Sequence, residues 1–142
     1  MKGLSLSQNA RLALAAYIVV EAFLYLLYQH NDFRFHWFIH FFVGGSVALV
    51  LMATIAYRSQ RPVPLPLLWL LIGHIFAAFP DILFNFGGIS HSGWMDIFAL
   101  HISSHFVPGR IFTWYAVFMA SLAIYLWFLF LIEIDSVRRF EE

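Results

Sequence analysis

Cysteine is absent from the 142-residue chain, which excludes a disulfide framework and any thiolate metal site. A bound metal would have to be held by nitrogen and oxygen. Charge is also scarce: Asp, Glu, Lys and Arg make up 11% of the residues, against about a quarter in an ordinary soluble domain. The eight basic and eight acidic residues cancel and form no basic patch, so a nucleic-acid-binding surface is excluded. Internal repeats and low-complexity stretches are missing as well. Three of the five prolines, Pro62, Pro64 and Pro66, fall in one short connector, where they end one helical run and set up the next.

What is present is apolar surface, with 62% hydrophobic and 20% aromatic residues. Four continuous runs, 12–28, 36–57, 66–86 and 111–132, are long enough to cross a bilayer as helices, which takes about 20 apolar residues. They lack the alternation of barrel strands, and a helix satisfies its own backbone in lipid, so the fold class is an all-α membrane protein in one domain. The first run is read as a membrane helix rather than a secretion signal, because it is long and no small-residue cleavage site follows it. Lys2, Arg11, Arg58, Arg61, Arg138 and Arg139 fall on one side, and only Arg34 and Arg110 on the other. The positive-inside rule then predicts cytoplasmic termini, with the 30–37 turn and the 87–109 segment facing outward.

The few polar residues gather toward that outer end. Glu21 lies within the first run on a stripe with Tyr17, Tyr25 and Tyr28. His36 and His40 open the second run on one face, and the stripe continues through Gly44 and Ala48, where a neighbouring helix can approach closely. On the third run His74, Ala77, Ala78, Asp81 and Asn85 share a face. The fourth has no ionisable group from Ile111 to Ile132, which marks it as scaffold. Between the third and fourth, residues 94–106 have a helical moment, with Met95, Phe98, Ala99, Ile102 and Phe106 on one arc. This predicts an interfacial or re-entrant helix carrying Asp96, His101 and His105. His30, His36, Asp32, Glu133 and Asp135 are expected to be solvated flanks. The five tryptophans, Trp37, Trp69, Trp94, Trp114 and Trp127, are expected to anchor the helices at the interfaces.

An ionisable group at a helix centre in a bilayer costs at least ~2.5–3.5 kcal/mol, so several together call for a function. Imidazole and carboxylate without thiolate suit a divalent metal, zinc first, with manganese or iron as alternatives. The expected ligands are His40, His74, Asp81, His91, His101 and His105, with Glu21 or Asp96 as general base. The His-x-x-x-His pairs at 36/40 and 101/105 have helical ligand spacing, but neither is His-Glu-x-x-His, so that type of metalloprotease is not indicated. Ser90 and Ser92 flank His91 without a nucleophile elbow.

Phe79-Pro80-Asp81-Ile82 followed by Gly88, Ser90, His91 and Ser92 resembles the signature of the membrane-bound metal-dependent hydrolases of bacterial inner membranes. Leu83, Phe86 and Gly87 stand where that family has Asp, His and Arg. The resemblance implies a metal site using Asp81 and His91. The leading expectation is therefore a membrane-embedded metal-dependent hydrolase acting on a lipid or amphiphilic substrate at the outer face. The alternatives are a proton or metal-ion carrier using Glu21, His74 and Asp81, a haem-binding bundle with His40 and His74 as axial ligands, and an accessory subunit. Expected partners are membrane lipid, and a second copy or a larger membrane complex.

Overall fold

The computed structural model describes residues 7–30 and 34–141. Lys2 and Asp32 lie outside the described residues, as do the side chains of His30, Arg34 and Arg139. Four helices account for most of the chain: α1 (Gln8–His30), α2 (Arg34–Ser59), α3 (Pro66–Gly87) and α4 (Arg110–Glu141). No strand occurs among the described residues. All four are long and apolar enough to cross a membrane. α3, with 22 residues, is about 33 Å long at ~1.5 Å per residue, close to the hydrocarbon thickness. α4, with 32, runs well past it and carries Glu133, Asp135 and Arg138 beyond the predicted end at Ile132.

Local chemistry sets the helix ends. The Ser7 hydroxyl accepts the Ala10 N–H at 3.2 Å and so caps α1. Pro66 occupies the first turn of α3, where its missing N–H costs nothing. At the other end Gly88 takes φ 63° and its N–H closes on the Phe84 carbonyl, the left-handed stop that glycine makes without strain.

α2 is the central helix. Over half of its span, 56%, is buried, against 11% for α1 and for α4, so those two present most of their surface to lipid. At one end Leu49, Met52, Ala53 and Ala56 of α2 pack with Tyr125 and Ile132 of α4 and with Val63 of the connector. At the middle Gly44 of α2 meets Gly73 of α3 backbone to backbone: a Cβ on Gly44 would overlap the Gly73 carbonyl and lie 2.9 Å from the His74 nitrogen. This is the close approach expected of the Gly44–Ala48 stripe. It brings the histidines of α2 against the polar face of α3.

The segment after α3 departs from expectation. Residues 94–106 do not form one interfacial helix; they form two 3-10 turns, Gly93–Ile97 and Ser103–Phe106, separated by Ala99 and Leu100 in left-handed conformation at φ 52° and 58°. The cause is Asp96. Its Oδ1 accepts the N–H groups of Ile102 and Ser103, both at 2.8 Å, and its Oδ2 accepts the Ser103 hydroxyl at 2.6 Å. Such local side-chain bonds compete with helical ones and reverse the chain. Left-handed non-glycine residues cost of order 1–3 kcal/mol each, so the loop persists because it is pinned from several sides. Met95 is fully buried, and the Trp114 indole N–H of α4 donates to the Ser104 carbonyl at 3.1 Å.

These bonds hold the Asp96 carboxyl below its ordinary pKa, chiefly through the Ser103 hydroxyl. A depressed folded-state pKa means that the contribution is present above the usual carboxylate range and is lost as pH falls through the folded value. Asp96→Ala, and wild type at pH well below the ordinary carboxylate range, are expected to open residues 93–106 to hydrogen exchange while the membrane helices stay protected. Equal protection of that loop in wild type and variant would refute the pinning role.

Candidate metal centre

The centre is built on Asp81, on the last turns of α3, one residue after a proline inside the helix. Pro80 donates no hydrogen bond to the Phe76 carbonyl and crowds it, which loosens the ladder beside Ala77. The Ala77 carbonyl accepts the Nδ1–H of His101 at 2.9 Å, so the loop histidine is docked on the helix backbone.

Four groups face the Asp81 carboxylate. Tyr28 of α1 donates its hydroxyl to Oδ2 at 2.7 Å. His40 of α2 places Nε2 3.0 Å from Oδ2, and from the loop His91 and His101 place Nε2 at 2.8 and 3.3 Å from Oδ1. The three imidazoles stack: His101 lies parallel to His40 at 4.5 Å and to His91 at 5.1 Å between ring centroids. His105 sits edge-on to His40 at 5.3 Å and to His36 at 4.7 Å.

Two details decide what this arrangement can do. Because a carbonyl only accepts, His101 must carry its proton on Nδ1, and a neutral His101 therefore turns the Nε2 lone pair toward a carboxylate oxygen. Two acceptors at 3.3 Å repel unless a cation lies between them. His40 is completely buried, and neither of its ring nitrogens makes a hydrogen bond, Nε2 being close to Oδ2 but out of line. Such orphaned buried nitrogens are costly as they stand and are well used as ligands. In a tetrahedral zinc site, ligand atoms about 2.0–2.2 Å from the ion lie about 3.3–3.6 Å from each other; the His101–Asp81 spacing of 3.3 Å reaches that range, while those of His40 and His91, 3.0 and 2.8 Å, are shorter. Two groups can hold a metal ion, Asp81/His91/His101 and His40/His101/His105, with His101 common to both. Burial and the neighbouring imidazoles His40, His36 and His101 push the His105 pKa down to about 3, so its ring is neutral and able to ligate.

A cleft of about 320 Å³ opens onto this centre. Tyr28, His36, Asp81, His91 and His105 supply its polar lining, and Phe84, Ile102 and Phe106 its apolar mouth.

Of the expected ligands, His40, Asp81, His91, His101 and His105 are brought together. His74 is not. It lies seven residues before Asp81, about 10 Å along the helix axis, and bonds through Nδ1 to both carboxylate oxygens of Glu21, at 3.0 and 2.8 Å. The shared face of α3 therefore carries two sites rather than one His74–Asp81 pair. Glu21, expected as a base, is committed to His74, and Asp96, the other expected base, is committed to the loop turn. Neither is among the residues gathered around Asp81. Sequence reasoning overlooked Tyr28 as a site residue and took His36 for a solvated flank. The Tyr17–Glu21–Tyr28 stripe was the available signal for the first, and the four-residue step to His40 for the second.

The chain is thus a multi-pass helical membrane protein of four spans with a His/Asp cluster able to hold a metal ion. Compared with protein-family models, with curated proteins and with solved structures, it matches none.

Proposed function

We propose that the protein is a membrane-embedded metal-dependent hydrolase, with zinc held by Asp81, His91 and His101 at the outer end of the bundle and a fourth position left for water or substrate. The observation that carries this reading is the convergence of His91 Nε2 and His101 Nε2 on Asp81 Oδ1, with His101 docked through Nδ1 on the Ala77 carbonyl. A divalent metal in such a site supplies Lewis-acid polarisation of an ester, amide or phosphoester oxygen. The protein's own groups do the rest. Phe84, Ile102 and Phe106 receive the apolar part of a lipid or amphiphile that enters sideways from the membrane. Tyr28 holds Asp81 from the α1 side and faces the cleft. Of the imidazoles lining the cleft, His36 and His105 stand outside this ligand set, and neither Glu21 nor Asp96 lines it. The Pro-Asp-Ile and Ser-His-Ser resemblance supports the same assignment, since both matched elements, Asp81 and His91, meet at 2.8 Å.

The test is elemental analysis of detergent-purified protein never exposed to chelator or nickel resin, beside His91→Ala. About one zinc per chain in wild type, lost in the variant, is the expected result and directs a screen of lipid esters and amides. Folded wild-type protein without metal would sink the proposal.

A second reading draws on one observation, that His101 belongs to two ligand groups at once. An ion handed from His40/His101/His105 to Asp81/His91/His101 is the start of a transport path. Zinc flux into proteoliposomes that stops in His101→Asn, without hydrolysis of any lipid, would favour the carrier.

A further inference from the structure

The Glu21–His74 pair lies apart from the metal centre and is not used by it. His74 is fully buried and Glu21 is 7% exposed, so a histidine and a carboxylate are placed together in the interior of the spans. Packing alone would not call for either. His74 Nδ1 contacts both Glu21 oxygens, while its Nε2 is buried with no hydrogen-bond partner. The ring sits in an aromatic box, edge-on at 5.4 Å to both Trp37 and Phe41 of α2. The Trp37 indole N–H, the other side of this box, is also buried without a partner.

The two orphaned atoms are chemically complementary. An indole N–H only donates. With the Glu21 carboxylate accepting the hydrogen bond from Nδ1–H, His74 Nε2 presents a lone pair, and one water can accept from Trp37 and donate to Nε2. The opposite tautomer, with a protonated Glu21 donating to Nδ1, leaves two donors facing one another. A water accepting from both would leave both its own hydrogens among aromatic faces. A buried group left unpaired keeps its full desolvation penalty, which selects the first arrangement. A carboxylate that orients an imidazole so that the distal nitrogen faces a water is the geometry of a proton acceptor. The protonated form is accommodated too, because the imidazolium would then lie beside the Glu21 carboxylate.

We propose that Glu21, His74 and Trp37 form a proton-binding site in the membrane interior, in which His74 Nε2 takes up a proton through one water shared with the Trp37 indole. This site does not depend on the metal centre being catalytic. The groups facing His74 are Glu21 from α1, with Tyr17 one turn before it, and Trp37 and Phe41 from α2; Phe41 in turn packs on Phe118 of α4. None besides Glu21 and Tyr17 is ionisable.

The experiment is solid-state nitrogen NMR of histidine-labelled full-length protein in phosphatidylcholine/phosphatidylglycerol vesicles, with the His74 signals assigned by their loss in His74→Asn. Nδ1 is expected to stay protonated throughout, while Nε2 exchanges magnetisation with water and gains and loses its proton reversibly as pH is lowered and raised. Glu21→Gln removes the stabilising charge and moves that transition to more acidic pH. Trp37→Phe, which keeps the aromatic packing, weakens the water contact and leaves Nδ1 protonated. An Nε2–H that never titrates and never contacts water would overturn the proposal and make the pair a packing latch between α1 and α3. Zinc content measured on the same samples reports separately on the hydrolase reading.

Discussion

Asp81→Asn is expected to strip the centre of metal while leaving the helices in place. Among the described residues the carboxylate is the one anionic group that meets His40, His91, His101 and Tyr28 together. An amide cannot neutralise a divalent cation, and affinity should fall by more than the roughly 10–100-fold that loss of an outer-shell partner costs. The fold tolerates the change for a specific reason. The new NH₂ group can donate to the His101 Nε2 lone pair, and the amide oxygen can still accept from Tyr28, so the repulsion between two acceptors is relieved even without metal. Zinc content and a chelator-competition titration check the first half, and thermal unfolding in detergent checks the second. An Asn variant that binds zinc as tightly as wild type would show that Asp81 is a structural acceptor only.

Gly44→Ala is expected to be the most damaging single-methyl change in the chain. Overpacking a core typically costs about 1–3 kcal/mol when side chains can yield. Here the added carbon meets the backbone of Gly73 and His74, which cannot rotate away, so the cost should lie at or above the upper end. The effect reaches both polar sites, because the Gly44–Gly73 crossing sets how far His40 stands from Asp81 and how Trp37 and Phe41 enclose His74. Lowered unfolding temperature together with reduced zinc content is the expected outcome. Gly88→Ala is the control: open space surrounds that position and only its φ of 63° resists a side chain, so it should fray the end of α3 by about 1 kcal/mol without touching the crossing. Equal stability of Gly44→Ala and wild type would mean that α2 and α3 do not meet there.

The comparison of sequence with structure is instructive residue by residue. Asp81 and His91 stood out in the chain because charge and imidazole are rare there, and both proved to be in the centre. His74 stood out for the same reason and went elsewhere. Helical spacing told which face it occupied, but depth separated it from Asp81, and Glu21, 53 residues away in sequence, claimed it. The 94–106 segment has helical periodicity, yet three bonds to the Asp96 carboxylate outweighed the helical ladder. Tyr28 was placed on the Glu21 stripe with no partner assigned and Trp37 passed for an interfacial anchor, because a sequence does not say which group an O–H or N–H meets.

Composition and hydropathy were enough to determine the solvent, the four helices, the close approach at Gly44 and the end of the bundle where polar groups collect. Those properties are sums over local runs, and the cost of polar groups in lipid leaves few alternatives. Only the tertiary structure decided that the ionisable groups divide into two sites, which tautomer His101 adopts, and that His40 and His74 keep orphaned nitrogens. These depend on where α2 crosses α3 and on bonds between residues far apart in the chain, and distances of that kind are absent from any local pattern.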